Sequence, residues 1–417
     1  MDTVMMNRNL LGINGLGRIG KLNLWNHLLL GHFEGYVINC GREVGKKLED
    51  LIQVVVTDST YGTLHKFLYG MSGKEAKIEV LDAEQPIIAI NGIPIKILRK
   101  ARNPKDINWD SEGVRIVADC TGSFTDPTAP IDSPKGSLRG HLEAGAMKVI
   151  VSAPFKFKDP AKTSADDAKT LIYGINHTQF DPLHDQIISA ASCTTTGLAH
   201  MMKPLFEHQE SSAIVTASMS TIHATTNTQS ILDSVPSAGA SDLRKNRSVL
   251  NNIILSTTGA AKTLEQVMPQ ISQIGFMADS VRVPTSTVSL IILNITFHSH
   301  LDENGEPTIS RKYLNGIYKL AADGPQKDLL VYSETQNVSS DLIGSRAACT
   351  IEAHETHTRT GFLSIPRELL ANSGVITEED LSLPVTHAKI FGWYDNELGS
   401  YVNCLGRLTC YIDQNLK

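Results

Sequence analysis

Residues 12–21 read GINGLGRIGK and hold Gly15, Gly17 and Gly20 in the spacing G-x-G-x-x-G. Between a strand and a helix, the first glycine allows a tight turn and the second lets the backbone approach a pyrophosphate. The third lets the helix pack closely on the strand. The helix N-terminus also offers N–H groups to phosphate. In that context the pattern indicates a dinucleotide site, and a tight turn without a ligand is the alternative.

The neighbouring sequence supplies this context. Residues 18–31, RIGKLNLWNHLLLG, carry apolar residues at helical spacing and end at Gly31, and residues 35–40, GYVINC, predict the next strand. A strand, a helix and a strand within about 30 residues form a β-α-β unit with a parallel sheet. Buried strands are also predicted in residues 113–124 and 146–155. The first half therefore indicates a Rossmann-type, doubly wound α/β domain.

The second half of the sequence has a different residue pattern. Residues 212–225, SAIVTASMSTIHAT, and 286–301, STVSLIILNITFHSHL, are long and β-branched, which is typical of antiparallel strands. They predict an α+β domain with a large, mostly antiparallel sheet. Residues around 324–385 mix polar and helix-like segments and predict a surface insertion.

The composition excludes several classes of protein. The chain has 417 residues, 41% of them hydrophobic and 20% charged, and its net charge of −6 gives no basic footprint for nucleic acid. From the sequence we expect neither a secretory signal nor a membrane-spanning run. We therefore expect a cytoplasmic protein without nucleic-acid or membrane partners. Six scattered cysteines without C-x-x-C pairs predict free thiols and no metal site.

The end of the second predicted strand bears on cofactor choice. An NAD-binding fold normally carries Asp or Glu there to hold the ribose hydroxyls, but this chain has Cys40, followed by Arg42. Losing the carboxylate removes repulsion against a 2′-phosphate, and Arg42 could pair with one. The sequence therefore predicts NAD or NADP as the cofactor. The alternative for Arg42 is that it is a solvated loop residue.

Cys193 is the candidate nucleophile. It follows the apolar run QIISAA and opens the helical stretch TTTGLAHMMKPLFE, and a helix N-terminus stabilises a thiolate. His223 lies on a predicted strand about 30 residues later and could pair with the thiol. By itself, each could equally be a structural core residue.

Several motifs carry a family resemblance. INGLGRIG, SAASCTTTGLAHMMKPLF, STIHATTNTQSILD, DLRKNR, STTGAAKTLEQVMPQI, VRVPTSTVSL and WYDNELGSYVN stand in this order along nearly the whole chain. Their order resembles that in phosphorylating glyceraldehyde-3-phosphate dehydrogenases. The resemblance implies a dinucleotide-binding domain at residues 1–191 and 397–417, a catalytic domain at 192–396, and a homotetramer.

The resemblance also implies a mechanism. Cys193 attacks the aldehyde of glyceraldehyde 3-phosphate, giving a thiohemiacetal, and His223 activates the thiol and accepts the hydroxyl proton as hydride leaves. Inorganic phosphate, the co-substrate, then attacks the thioester and releases 1,3-bisphosphoglycerate. Erythrose 4-phosphate or a related phosphorylated aldehyde is an alternative substrate, and a low-activity nucleotide-binding paralogue is an alternative protein.

The remaining site residues follow from matching positions. Those implied for the cofactor are Gly15, Leu16, Gly17, Arg18, Ile19, Gly20, Cys40, Arg42, Thr121, Gly122, Ser123, Phe124, Ser152 and Asn396. Those implied for the substrate phosphate and the attacking phosphate are Ser192, Thr194, Thr226, Lys245, Arg247, Thr258, Gly259 and Arg282. A helix cap is the alternative role for Thr258.

The chain departs from the family pattern at several positions. Thr196 and Gly197 replace the usual Asn and second Cys after S-C-T-T, and Cys40 replaces the ribose-binding Asp. The usual G-Y-S reads Gly-Ser-Tyr, which displaces the aromatic by one position to Tyr401. A long loop also brings Ser234, which could contact a 2′-phosphate. These departures bear on the cofactor and the substrate more than on the reaction type.

Overall fold

The computed structural model describes residues 4–99 and 101–416, which divide into two compact units. Unit 1 runs up to Thr196 and resumes at Glu397, and unit 2 comprises Gly197–Asn396. The expected domain boundary at residues 191 and 192 lies just before the observed division.

Unit 1 is built on a nine-stranded sheet in the order β10-β11-β9-β8-β1-β2-β7-β6-β5, with a separate β3–β4 pair. Its strands are β1 (Leu10–Asn14), β2 (Gly35–Asn39), β3 (Thr57–Asp58), β4 (Gly62–Thr63), β5 (Ile78–Asp82), β6 (Ile87–Ile90), β7 (Ile93–Leu98), β8 (Val114–Asp119), β9 (Lys148–Val151), β10 (Ala168–Thr170) and β11 (Ile187–Ser189). Pairing is parallel from β10 to β7, and only the edge strands β6 and β5 are antiparallel.

Helices occur in both units. They are α1 (Arg18–Leu30), α2 (Leu48–Val56), α3 (Leu64–Tyr69), α4 (Arg139–Glu143), α5 (Cys193–Glu207), α6 (Gln209–Ser212), α7 (Ala260–Val267), α8 (Arg311–Asp323), α9 (Arg367–Asn372) and α10 (Cys404–Gln414). A π-helix, Leu398–Asn403, precedes α10, and short 3-10 helices occupy Pro104–Asp106, His177–Gln179, Leu243–Asn246, Pro269–Gln273, Ser339–Leu342 and Ala353–Glu355.

The sheet of unit 1 is buried on both faces. Side chains along a strand alternate between two separate cores: Tyr36 and Ile38 of β2 belong to one and Val37 to the other. On β9, Ile150 and Val149 divide in the same way. Two cores on one parallel sheet are the mark of a doubly wound domain, since helices and loops must cover both faces. This confirms the predicted class of the first domain.

Unit 2 contains an eight-stranded sheet in the order β13-β14-β12-β15-β19-β17-β16, with β18 paired to β19. The strands are β12 (Ile214–His223), β13 (Ile254–Ser256), β14 (Gly275–Arg282), β15 (Ser289–His298), β16 (Leu330–Ser333), β17 (Cys349–Glu352), β18 (His357–Ile365) and β19 (Leu381–Tyr394). The β12–β14 and β16–β17 pairs are parallel, and the other pairs are antiparallel. The predicted mostly antiparallel sheet is confirmed.

The insertion expected around residues 324–385 needs a correction. Its first half supplies β16 and β17, whose apolar residues Leu330, Cys349 and Ile351 are buried in unit 2. These strands belong to the main sheet because β17 pairs with β19. The exposed part is narrower and consists of β18, α9 and the start of β19.

Candidate active site

The glycine turn between β1 and α1 fits a dinucleotide. Gly15 has φ +97° and donates its N–H to the Asn39 carbonyl at 2.8 Å. A Cβ on Gly20 would collide with the Gly15 carbonyl oxygen, whereas a Cβ on Gly17 would meet nothing within 4 Å. Two glycines are thus required by the turn itself, and the third leaves open space where a pyrophosphate could approach the backbone. Leu16 and Ile19 pack against the core.

The side chain of Arg18 forms ion pairs. Its guanidinium contacts Asp58 and Glu397, each at 3.2 Å, and also Thr60. Burial would raise the pKa of Asp58, but Arg18, Lys21 and backbone N–H groups hold that pKa well below its ordinary value. The side chain of Arg18 therefore anchors α1, and its backbone N–H is what it offers to a phosphate.

A pocket of about 460 Å³ lies at the carboxyl ends of the parallel strands in unit 1. Its lining residues are Asn14, Gly15, Asn39, Cys40, Gly41, Arg42, Arg102, Thr121, Ser123, Phe124, Lys135, Gly136 and Lys158. This edge of an open α/β sheet is where dinucleotides bind. The structure thus brings Gly15, Cys40, Arg42, Thr121, Ser123 and Phe124 together around one cavity.

A buried polar network supports that edge, and sequence reasoning missed it. The Asp119 carboxylate accepts hydrogen bonds from Asn14 at 2.8 Å and from Thr121 Oγ1 at 2.7 Å, and contacts His141 Nε2 at 3.0 Å. Trp109 Nε1 lies 2.8 Å from His141 Nδ1, so the neutral ring carries its proton on Nε2 and donates it to Asp119. The network holds Thr121 in place, directly before Gly122 at φ +66°.

Cys193 is the first residue of α5. Ser192 caps this helix because its Oγ accepts the Thr195 N–H at 3.1 Å and also lies 2.7 Å from Thr195 Oγ1. The preceding Ala191 is fully buried with φ +57°, a conformation that L residues rarely adopt. The turn therefore places a half-buried cysteine at a helix N-terminus. Ser192 and Thr195 order this turn through these contacts, and the Thr196 N–H donates to the Ser192 carbonyl at 2.9 Å.

Tyr401 reaches this turn from the π-helix. Its hydroxyl donates to the Ala191 carbonyl at 3.2 Å, and Ser152 hydrogen-bonds with it. A π-helix has a wider turn than an α-helix. Tyr401, the aromatic displaced by one position from the family pattern, lies within this π-helix. Thr194, next to Cys193, is buried.

In unit 2, His223 and Arg282 lie side by side because β12 and β14 pair in parallel with these two residues in register. Arg282 Nη1 is 2.6 Å from His223 Nδ1 and donates to the Ala224 carbonyl at 3.1 Å. Burial, reinforced by the Arg282 charge, lowers the pKa of His223 to about 3. The imidazole is therefore neutral at physiological pH.

Asn396 is held at the end of β19. Its Oδ1 accepts a hydrogen bond from Ser289 Oγ at 3.0 Å, and the Ala224 N–H donates to the same Ser289 hydroxyl. The side-chain amide of Asn396 is thereby oriented with Nδ2 as its donor.

The other residues expected at the phosphate sites have local partners. Thr226 Oγ1 donates to Gln229 Oε1 at 2.9 Å, and Arg247 pairs with Asp233 at 2.9 Å. Thr258 Oγ1 accepts the Ala260 N–H at 3.2 Å at the start of α7, whose N-cap residue is Gly259. Lys245 lies in the 3-10 helix Leu243–Asn246. The hydroxyl of Ser234 bonds within its own loop.

Three cationic residues of the pocket were also missed by sequence reasoning: Arg102, Lys135 and Lys158. The basic clusters RKAR at residues 99–102 and FKFK at 155–158 were the available signal. Among residues 4–99 and 101–416, no three His, Cys, Asp or Glu side chains are grouped as metal ligands. Over the same ranges, every helix is too short or too polar to cross a bilayer.

Comparisons with known proteins agree with this organisation. The model of the glyceraldehyde 3-phosphate dehydrogenase NAD binding domain matches residues 10–127, and that of the C-terminal domain matches residues 192–365. The glyceraldehyde-3-phosphate dehydrogenase of Streptomyces coelicolor is 34% identical over 407 residues, covering 97% of this chain and 98% of the relative. The enzyme of Geobacillus stearothermophilus is 33% identical, covering 96% and 97%. The cytosolic enzyme of Chlamydomonas reinhardtii is 31% identical, covering 96% of each. The chain therefore belongs to the glyceraldehyde-3-phosphate dehydrogenase family.

Proposed function

We propose that this chain oxidises glyceraldehyde 3-phosphate in the presence of inorganic phosphate, giving 1,3-bisphosphoglycerate, with NAD+ or NADP+ as oxidant. Family membership supports the reaction class. The observation that carries the proposal is Cys193 at the first position of α5, in a turn capped by Ser192. N–H groups and the helix dipole at this position favour a thiolate and an oxyanion on the atom it attacks.

The chemistry assigns one role to each reacting side chain. The Cys193 sulfur bonds to the aldehyde carbon, and His223, neutral because its pKa is about 3, accepts the hydroxyl proton of the thiohemiacetal. A bound nicotinamide cofactor supplies the hydride acceptor. A phosphate oxygen then attacks the Cys193 thioester, and the sulfur leaves as a thiolate.

Three side chains are proposed to hold the substrate and the nicotinamide. Arg282 and Thr226 bind the substrate phosphate, since a guanidinium and a hydroxyl both donate to its oxygens. Asn396 donates from Nδ2 to the nicotinamide carboxamide, because Ser289 occupies its Oδ1. The attacking phosphate is bound by the group Ser192, Thr194, Lys245, Arg247, Thr258 and Gly259.

The cofactor end of the site favours NADP+ or the use of both cofactors. Cys40 stands where a ribose-binding carboxylate is usual, and burial raises the pKa of its thiol to about 11. The thiol is therefore uncharged at neutral pH and does not repel a 2′-phosphate. Arg42 lines the same pocket.

The decisive experiment follows reduced-cofactor formation from glyceraldehyde 3-phosphate with and without inorganic phosphate. With phosphate, we expect steady turnover. Without it, we expect a burst no larger than the enzyme concentration, because the thioester cannot be released. Continued turnover without phosphate would mean hydrolysis to a free acid and would overturn the phosphorylating reaction. Cys193→Ser should abolish the burst and keep nucleotide binding, and Cys410→Ser is the matched control.

Substrate identity and assembly are tested separately. Erythrose 4-phosphate should have a lower kcat/KM than glyceraldehyde 3-phosphate, and the reverse order would reassign the substrate. A cytoplasmic homotetramer remains a prediction, with light scattering as the measurement of its mass.

A further inference from the structure

Four cationic side chains line the cavity at the carboxyl edge of the unit 1 sheet. They are Arg42, Arg102, Lys135 and Lys158, here called the basic pocket, and no carboxylate residue is among the lining residues. These cations come from separate loops of the chain. They stand together in a protein whose net charge is −6, so the positive charge is local.

The backbone holds Arg102 and Lys135 in place. Arg102 Nε donates to the Gly41 carbonyl at 3.2 Å, beside the end of β2, and uses one of its five N–H donors in doing so. Lys135 precedes Gly136, which has φ +85° and whose added Cβ would lie 2.6 Å from Pro104 Cδ. The chain beside Lys135 is therefore packed tightly and tolerates only glycine at position 136.

Lys158 is anchored through its own backbone. Its backbone N–H donates to Asp126 Oδ2 at 3.0 Å, and Asp126 also accepts from Thr128. The hydrogen bond from the Lys158 backbone fixes the chain at this point, and Lys158 is among the residues that line the cavity.

The positive charge of the pocket is only partly offset within the described ranges 4–99 and 101–416, where the Lys158 charge acts on the Asp126 carboxylate and lowers its pKa. None of its four cations forms an ion pair there, and Glu43, adjacent to Arg42 in sequence, pairs with Arg99 at 3.0 Å. The neutral thiol of Cys40 adds no negative charge. Four cations around one cavity, three of them without an acidic partner among the described residues, favour a multiply charged anion over a neutral hydroxyl.

We propose that the basic pocket binds the 2′-phosphate of the cofactor, with Arg102, Lys135 and Lys158 acting beside Arg42 as the residues that select NADP+ over NAD+. This rests on the proposed use of a nicotinamide dinucleotide. A phosphomonoester carries a charge of about −1.5 to −2 at pH 7 and three acceptor oxygens, enough to engage several donors at once. The ribose hydroxyl of NAD+ would leave these cations uncompensated.

The test measures binding of nucleotide fragments, which requires no turnover. Calorimetry compares 2′,5′-ADP, which carries the extra phosphate, with 5′-AMP, which lacks it. We expect 2′,5′-ADP to bind at least about tenfold more tightly, with the difference shrinking as salt is added. Equal affinities for the two fragments would overturn the proposal.

Alanine variants locate the effect. Arg102→Ala, Lys135→Ala and Lys158→Ala should each weaken 2′,5′-ADP binding about three- to tenfold, as expected for exposed charge-assisted contacts, and leave 5′-AMP unchanged. Lys162→Ala is the matched control, since Lys162 is exposed on the segment that carries Lys158 and does not line the cavity. Equal losses for both fragments in the three variants would show a structural role instead. Melting temperatures confirm that each variant is folded.

The same binding data separate this inference from the proposed activity. Tight 2′,5′-ADP binding without oxidation of glyceraldehyde 3-phosphate would refute the activity and keep the pocket assignment. Turnover of glyceraldehyde 3-phosphate together with equal affinities for 2′,5′-ADP and 5′-AMP would refute the pocket assignment and keep the proposed activity. A third measurement asks whether inorganic phosphate displaces bound 2′,5′-ADP. If inorganic phosphate does so as effectively as NADP+, the pocket is a site for free phosphate and the proposal is overturned.

Discussion

Cys193 differs from the other cysteines of this chain in its surroundings. It is half-buried, like Cys40 and Cys410, but it stands at a helix N-terminus, whereas burial raises the pKa of Cys40 to about 11 and the pKa values of Cys120 and Cys404 to about 12. The thiolate is the reactive form of cysteine, so buried thiols with raised pKa values are slow nucleophiles. Reactivity should therefore be concentrated at one position.

Alkylation with iodoacetamide at neutral pH measures this directly. Peptide mapping during a short reaction should find Cys193 modified at least about tenfold faster than any other cysteine, because the helix N-terminus favours its thiolate. Cys410, half-buried with its pKa raised to about 12, serves as the internal control. Labelling of Cys193 no faster than that of Cys410 would remove the basis for its role as nucleophile.

At the scale of the element, α5 contains a proline that it must accommodate. Pro204 lacks the N–H that would bond the His200 carbonyl one turn earlier. Gln326, fully buried, donates from Nε2 to that carbonyl at 3.1 Å. A side chain outside the helix thus replaces the missing backbone donor.

A double-mutant cycle tests this replacement. Gln326→Leu should lower the free energy of unfolding by about 1–3 kcal/mol, because it leaves a buried carbonyl without this donor. In a Pro204→Ala background the restored N–H can bond His200, so the same substitution should cost clearly less. Denaturant unfolding gives all four values. Equal costs in the two backgrounds would show that Gln326 does not compensate for Pro204.

At the scale of the whole molecule, the sequence predicts features whose signals are local. The signals for the glycine turn before α1 and for the helix that begins at Cys193 each lie in a few consecutive residues. Both features are found where the sequence predicts them. Strands β16 and β17 are each only four residues long, and their place depends on pairing with β19, so local pattern assigns them to an insertion. The basic pocket is missed for the same reason, since Arg102 and Lys158 meet only when distant loops converge.

The whole molecule should also respond to acid through two buried histidines. Burial lowers the pKa values of His27 and His223 to about 3, from 6.5 in the unfolded chain. Neither ring nitrogen of His27 has a hydrogen-bond partner among the described residues. Between pH 6.5 and pH 3 the unfolded state binds more protons than the folded state, so stability is complete above pH 6.5 and falls as the pH drops.

Lowering the pH from 7 to 5 should therefore reduce the free energy of unfolding by about 2 kcal/mol for each histidine. His27→Leu removes one of these groups and fills the site with an apolar side chain, so it should cut the pH dependence by about half and raise stability at pH 5. Exposed His300→Asn is the matched control and should leave the dependence unchanged. Urea unfolding at both pH values measures the effect. If His27→Leu retains the wild-type dependence, His27 is not the group whose protonation destabilises the fold, and the loss must come from other titrating side chains.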